Sequence, residues 1–161
     1  MPRQRLGRGV NVNVNVKVVA WAAGVSVADA LTKWWMRRHV TATGRHVLGP
    51  LWWRVTYNSG ISFSLNAASP IVTTLLTLAI VVGLASVALR AAGGLATVGF
   101  GLLLGGGVAN TIDRLSHVPH RVTDFIAVGS FPVFNVADAA VTLGFLTLVV
   151  TLLRGRPVVR R

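Results

Sequence analysis

The sequence contains no cysteine and no glutamate, and its four acidic residues are Asp29, Asp113, Asp124 and Asp138. Without cysteine, disulfides, thiol catalysis and thiolate metal sites are excluded. Charged residues make up only 12% of the chain, against about a quarter in a typical soluble domain. Because 53% of the residues are hydrophobic, the composition indicates a membrane protein in which carboxylates are scarce.

The positive charge is large but scattered along the chain. Sixteen Lys and Arg residues give a formal net charge of +12. Such an excess can indicate nucleic-acid binding, but here the cations lie at the termini and between apolar runs rather than along one face. Attraction to anionic lipid headgroups is the simpler explanation, so membrane lipids are expected partners and nucleic acid is not.

Four apolar segments are each long enough to cross a hydrocarbon core of about 30 Å. They lie at about 18–36, 71–89, 93–112 and 136–153, within one membrane domain at 18–153 that is flanked by basic tails at 1–17 and 154–161. The first segment also resembles a cleavable secretory signal. Its length and its terminal Trp34 and Trp35 favour a retained anchor helix instead.

The basic residues predict how the helices are oriented. Nine Lys or Arg residues lie in the two tails and the second-to-third connection, and six lie in the opposing loops. The positive-inside rule therefore predicts cytoplasmic termini. The region 37–69 then lies outside, where β-branched and aromatic residues predict a small sheet at about 45–66 that rests on the membrane through Trp52 and Trp53. The expected fold is a membrane all-α protein with four transmembrane helices and a small extracytoplasmic β-sheet between helices 1 and 2.

Several polar residues lie within or beside the apolar segments. Asp29 and Lys33 are four positions apart, the spacing of a structural ion pair on one helix face. Asn110 and Arg114 have the same spacing and follow a glycine-rich stretch that allows close helix packing. Asp113 and Arg114 could also form a simple charge pair at the interface.

Two further carboxylates lie near the outer ends of the predicted spans. Asp124 is expected in an external loop, whereas Asp138 opens the fourth helix with Asn135 as its N-cap. These two carboxylates could meet across the helix bundle. His117 and His120 form a His-x-x-His pattern, but zinc requires a third ligand. No Ser lies in a Gly-x-Ser-x-Gly turn, so a serine hydrolase is unsupported, and no metal or cofactor is expected.

Five motifs, taken in order, resemble those of the lipoprotein signal peptidase (signal peptidase II) family. They are Asp29-x-x-Thr32-Lys33, Tyr57-Asn58-x-Gly60-x-x-Phe63, Gly106-x-x-x-Asn110-x-x-Asp113-Arg114, Val122-x-Asp124-Phe125-Ile126 and Phe134-Asn135-x-Ala137-Asp138. The chain departs from the family at His120-Arg121-Val122, where Gly-His-Val is common.

The resemblance implies an aspartic endopeptidase of the bacterial inner membrane, with its active site at the outer face. It would cut the signal peptide from diacylglyceryl-modified prolipoproteins, just before the lipidated cysteine. The protein itself is expected to be a monomer. The catalytic dyad maps onto Asp124 and Asp138, with Asp29 and Lys33 as a structural pair. The supporting or substrate-binding residues map onto Asn58, Gly60, Phe63, Asn110, Asp113, Arg114, Asn135 and Ala137.

Two other classes of function use similar residues. Charged groups within spans also occur in proton-coupled transporters and channel components, although these more often contain repeated halves or broken helices at mid-membrane. In a non-enzymatic assembly protein, the polar residues would only hold the helices together. A cleavage assay on a lipidated prolipoprotein distinguishes all three classes.

Overall fold

The computed structural model describes residues 15–41, 43–59, 69–116 and 120–160. Helices and strands in these ranges follow the predicted pattern of apolar segments separated by polar connections. The elements are α1 (Val16–His39), β1 (Arg45–Leu48), β2 (Leu51–Asn58), α2 (Pro70–Ala88), α3 (Gly94–Ser116), β3 (Val122–Val128), β4 (Phe131–Phe134) and α4 (Val136–Leu153). Most of the N-terminal tail, together with Gly60 and Phe63, lies outside the described residues.

Three of the helices, α2, α3 and α4, are long and apolar enough to cross a membrane. Helix α1 is as long as these, but it carries five Lys, Arg or Asp residues between Lys17 and Arg38. Two of them, Asp29 and Lys33, are buried within the protein. The outer faces of α2 and α4 are rich in exposed Leu, Val and Ile, as expected for surfaces that face lipid. The architecture is therefore that of a membrane protein.

Helix α3 occupies the centre, because it contacts each of the other three helices. Glycines permit this close approach. A Cβ at Gly105 would lie 2.7 Å from the carbonyl oxygen of Ala22 on α1, and a Cβ at Gly106 would clash with the carbonyl oxygen of Ala137 on α4. The expectation that the glycine-rich stretch allows close packing is confirmed by these contacts.

The sheet contains four antiparallel strands in the order β1-β2-β3-β4. This corrects two sequence-based expectations. Only β1 and β2 come from the region between the first two helices, and Asp124 lies in strand β3 rather than in a loop. Strand β3 is almost fully buried, and Thr56 of β2 pairs with Asp124. Local pattern could not reveal this pairing, because the partner strands are more than sixty residues apart in the chain.

Candidate active site

Asn135 links the two carboxylates that the sequence singles out. Its side-chain Nδ2 donates a 2.7 Å hydrogen bond to Oδ1 of Asp124. Its Oδ1 accepts from the backbone N–H of Asp138 at 2.9 Å, and Oδ2 of Asp138 accepts from the backbone N–H of Asn135 at 3.1 Å. The predicted capping pattern is therefore present as a reciprocal capping box. The cap that begins α4 thus also holds β3 through Asp124, so one amide positions both acids.

Asn110, on the central helix α3, contacts both Asp138 and Asn135. Its Nδ2 donates to Oδ1 of Asp138 at 2.8 Å. Its Oδ1 accepts from Lys33 Nζ at 3.0 Å and from Asn135 Nδ2 at 3.2 Å. With its oxygen occupied by two donors, the amide has only its NH₂ group to present to Asp138, which determines its orientation. Both oxygens of Asp138 therefore accept hydrogen bonds, one from Asn110 and one from the backbone of Asn135.

Asp124 and Asp138 line one cavity of about 120 Å³ between the sheet, α3 and α4. Asn58, at the end of β2, hydrogen-bonds to Asp124 from the sheet side. Arg114 is buried, and its charge interacts most strongly with Asp138 and then with Asp124. The residues that line the cavity are Asn58, Asn110, Arg114, Val122, Asp124, Val133, Phe134, Asp138, Val141 and Thr142.

The environment of Asp124 favours its protonated form. Burial away from water, followed by repulsion from the Asp138 charge, raises the pKa of Asp124 to about 7. Hydrogen bonds from Asn135 and Asn58 oppose this shift but do not cancel it. The cavity therefore holds two acids whose surroundings differ, which is the condition for one to serve as a proton donor and the other as a base.

A second group of charges supports the site from the side of α1. Nζ of Lys33 lies 2.7 Å from Asp29 Oδ2, so these residues form the ion pair expected from their spacing. The other oxygen of Asp29 accepts the backbone N–H of Ala137 at 2.9 Å. This contact satisfies one of the free N–H groups in the first turn of α4, next to Asp138. Asp29 thus connects α1 to the start of α4.

Asp113 lies with this second group rather than in the cavity. Its Oδ2 accepts from the backbone N–H of Thr123 at 2.7 Å and lies 3.4 Å from Lys33 Nζ. Its Oδ1 lies 3.3 Å from Arg37 Nη1. Asp113 therefore attaches β3 to α3, at the residue that precedes Asp124. It supports the position of the strand, and it does not face the two candidate acids across the cavity.

Arg37 also belongs to this support, although it is not among the residues predicted from the sequence. Its Nη1 donates to Thr123 Oγ1 at 2.9 Å as well as to Asp113. The signal was available, because Asp29, Lys33 and Arg37 are spaced by four residues and share one face of α1. The predicted external region 37–69 began at Arg37, which placed this residue outside the first helix.

His120 adopts a left-handed backbone conformation with a φ of 63°. This position is where the sequence departs from the Gly-His-Val pattern. The ring Nδ1 donates to the carbonyl oxygen of Arg114 at 3.0 Å, near the end of α3. The hydrogen bond satisfies one of the last helix carbonyls. The ring thereby helps to hold a backbone conformation that glycine adopts more readily.

Metal-binding geometry is not found in the described part of the chain, where no group of three or more His or Asp side chains could hold an ion. His117 lies outside those residues. The site consists of carboxylates, amides and guanidinium groups.

Comparison with known proteins gives consistent matches. The family described as Signal peptidase (SPase) II matches residues 21–154. The lipoprotein signal peptidase of Chlorobium phaeobacteroides (strain BS1) is 39% identical over 148 residues, covering 80% of this chain and 91% of the relative. That of Mycobacterium leprae (strain Br4923) is 36% identical over 102 residues, 61% of this chain. This match spans only 51% of the mycobacterial protein, so the chain aligns with about half of that relative's length.

The fold also matches solved structures. One, described as a bacterial membrane enzyme solved at 2.3 Å by the in meso method, has a TM-score of 0.76 and 24% sequence identity. The match covers 87% of this chain and 89% of that one. At this identity the likeness shows a shared fold.

Proposed function

Because the chain belongs to the signal peptidase II family, we propose that it is an endopeptidase that removes the signal peptide from diacylglyceryl-modified prolipoproteins, cutting before the lipidated cysteine. The observation that carries the proposal is the arrangement of Asp124 and Asp138. Both line one cavity, and both are hydrogen-bonded to Asn135. Two carboxylates held this way can share a proton and act as an acid and a base.

In the proposed reaction, Asp124 begins protonated and Asp138 begins ionised. Asp138 takes a proton from a water molecule, whose oxygen attacks the carbonyl carbon of the peptide bond. Asp124 donates its proton to the carbonyl oxygen, which gives a neutral tetrahedral diol. When the C–N bond breaks, Asp138 returns a proton to the amine nitrogen, and Asp124 recovers one from a diol hydroxyl. Both acids end in their starting states, and no metal or cofactor is required.

The amides prepare the acids for this sequence. Asn135 and Asn110 together donate to Asp124 and to Asp138, and their own oxygens are occupied. Fixed side chains of this kind need little reorganisation as charge moves between the carboxylates. Arg114 supplies a positive charge near both acids, which stabilises the single negative charge that the pair carries throughout.

In the proposed membrane arrangement, α1 crosses the bilayer in addition to α2, α3 and α4, so the protein has four spans. The charges of α1 are consistent with this, because Asp29 and Lys33 are buried and paired with each other. The nine-to-six distribution of basic residues supports cytoplasmic termini and an external sheet, in a bacterial inner membrane. The candidate acids then lie at the outer boundary, where a signal peptide presents its cleavage site. The proposed enzyme is a monomer that acts on lipid-bearing substrates within the bilayer.

Cleavage of a lipidated prolipoprotein by purified Asp124→Asn and Asp138→Asn variants tests the proposal. Asn has nearly the same shape as Asp, so both variants should insert and elute as the parent does, while neither should release signal peptide. The same precursor without its lipid serves as the substrate control and should remain uncut. Substantial turnover by either variant would remove that residue from the dyad. A parent protein that cuts neither precursor would exclude the proposed activity.

A further inference from the structure

An apolar groove lies between α1 and α4, on the side of α4 away from the candidate acids. Its volume is about 660 Å³, and it shares no lining residue with the cavity of Asp124 and Asp138. Small residues such as Gly24 and Ala140 form much of its wall. At one end it reaches Lys17 and Trp21, and at the other it reaches Ala28 and Val136.

A polar cavity of about 600 Å³ adjoins the Lys17 end of this groove. Lys17 and Trp21 line both spaces, so the groove and the cavity adjoin there. The cavity also includes Arg160, from the other end of the chain, and the buried polar side chains of Asn15 and Thr97. A hydrogen bond of 3.2 Å joins Asn15 Nδ2 to Thr97 Oγ1. Two cations are therefore available at the entrance to an apolar groove.

The C-terminal segment is held in place where it contributes Arg160. The backbone N–H of Ala92 donates to the carbonyl of Val158 at 3.0 Å, and the N–H of Arg160 donates to the carbonyl of Arg90 at 2.8 Å. Val158 and Val159 pack against a buried hydrophobic cluster that includes Val18 of α1. The docked tail thus supplies one of the two cations of this basic entrance, and α1 supplies the other, Lys17.

The length of the groove matches one leaflet of a bilayer. Lys17 and Ala28 are eleven positions apart on α1, which corresponds to about 16 Å along a helix. Half of a hydrocarbon core of about 30 Å is nearly the same distance. The groove is therefore about as long as one acyl chain of a lipid, and it runs from the end of α1 next to the two termini to the start of α4 at Val136.

We propose that this groove and its basic entrance bind an anionic phospholipid from the leaflet that adjoins the termini. One acyl chain lies between α1 and α4, and Lys17 and Arg160 bind the phosphate. Basic pockets between helices at a membrane surface suit anionic headgroups, and the apolar wall suits the chain. The inference rests on the proposed position of α1 within the bilayer, and it is independent of peptide cleavage. The bound chain would stabilise the α1–α4 arrangement close to the hydrogen bond between Asp29 and Ala137.

The headgroup part is tested by native mass spectrometry of the full chain. Protein is equilibrated with vesicles of equal parts phosphatidylglycerol and phosphatidylcholine, and the retained lipid is counted after extraction. We expect selective retention of phosphatidylglycerol by the parent, and about fivefold weaker retention for Lys17→Gln or Arg160→Gln, from the attraction of one cation at a membrane surface. Arg154→Gln is the matched control, because Arg154 is exposed and does not line the cavity.

The variant Gly24→Leu tests whether an acyl chain occupies the groove. Gly24 lines the groove, and a Cβ added there meets nothing within 4 Å, so we expect a leucine side chain to extend into the groove. We expect this variant to fold normally but to retain much less phosphatidylglycerol. Gly83→Leu is its control, because Gly83 is equally unobstructed but lies on α2, outside the groove.

Three outcomes would overturn the proposal. If the parent retains phosphatidylglycerol and phosphatidylcholine equally, the protein has no site that selects an anionic headgroup. If Gly24→Leu retains as much phosphatidylglycerol as the parent, no acyl chain lies in the groove. Displacement of the lipid by inorganic phosphate alone would indicate a soluble anion site instead. Because binding is measured without substrate, a protein that binds the lipid but cuts no prolipoprotein would contradict the proposed function and leave this inference intact.

Discussion

The carboxylate of Asp29 accepts a 2.9 Å hydrogen bond from the backbone N–H of Ala137, a residue 108 positions later in the chain. The same carboxylate forms the buried ion pair with Lys33. One side chain therefore neutralises a charge on its own helix and caps the helix that carries Asp138. This relationship makes the geometry of the candidate acids dependent on α1, although no residue of α1 lines their cavity.

Asp29→Ala should lower the midpoint of thermal unfolding in detergent more than the double variant Asp29→Ala/Lys33→Met does. The single variant leaves the buried ammonium without its nearest anion, and breaking such pairs typically costs about 3–5 kcal/mol. The double variant removes the remaining charge along with its partner. If the single variant unfolds at the parent temperature, the ion pair contributes nothing to stability.

The stability of the protein should decrease as the pH rises from about 4 to about 7. Asp124 has a pKa near its ordinary value of about 4 in the unfolded chain and about 7 in the folded protein. The folded state therefore holds more protons within this window, and raising the pH favours unfolding. Asp124→Asn has no charge to bury. It should unfold near the parent temperature at about pH 4 and clearly above it at about pH 8, by thermal unfolding at both values. An equal difference at both pH values would show that Asp124 does not titrate in this range.

The rate of cleavage should fall as the pH rises above about 7, because Asp124 then loses the proton that the proposed mechanism requires. The measurement is kcat/KM for a lipidated prolipoprotein across the pH range, with protein stability checked at each point. A rate that keeps rising beyond pH 8 would assign the proton-donating role to another group.

Arg114→Lys should insert normally but cut at least about tenfold more slowly, because misplacement of an active group by about 1 Å can cost about 100-fold in rate. Arg114 is buried beside both acids, and its Nη1 also donates to the carbonyl of Asn110 at 3.4 Å. An ammonium cannot reproduce the planar, multi-point contacts of a guanidinium. The pH optimum should shift with the rate, because the charge near the dyad moves.

Arg121→Lys provides the control for that variant, because Arg121 is exposed and lies outside the cavity. It should cut at the parent rate. If Arg114→Lys also retains the parent rate and pH profile, Arg114 is only an interfacial charge.

Gly106→Ala should destabilise the protein and slow cleavage. The added Cβ would clash with the carbonyl oxygen of Ala137 and approach Val141 Cγ2 to 2.8 Å. Because the first contact is with backbone, α4 must shift at the turn that holds Asp138. Gly83→Ala, where the added Cβ meets nothing, should unfold no earlier than the parent, since Ala favours helix. The comparison uses thermal unfolding and cleavage rates for both variants. An equal unfolding temperature for both would show that the α3–α4 approach tolerates a methyl group.

Several features followed from sequence because they depend on neighbours within one or two helical turns. The spacing of Asp29 and Lys33 indicated their ion pair, and Asn135 followed by Asp138 indicated the helix cap. The lengths of the apolar runs indicated the helices, three of which are long and apolar enough to span a membrane. The order of five motifs was enough to identify the family. In each case the physical cause is local, because helix geometry alone brings such residues together.

Other features were decided only by packing between distant parts of the chain. The sequence did not show that β3 and β4 complete the sheet of β1 and β2, or that Asp113 turns to Lys33 and Arg37 instead of the cavity. Nor did it show that the docked tail brings Arg160 into the cavity that Lys17 lines. Strand pairing and helix contact depend on which surfaces bury each other, and a local pattern does not contain that choice. The sequence determined which groups were available for chemistry, and the tertiary structure decided which of them meet, because only close packing of α3 against α1 and α4 brings those groups within hydrogen-bonding distance.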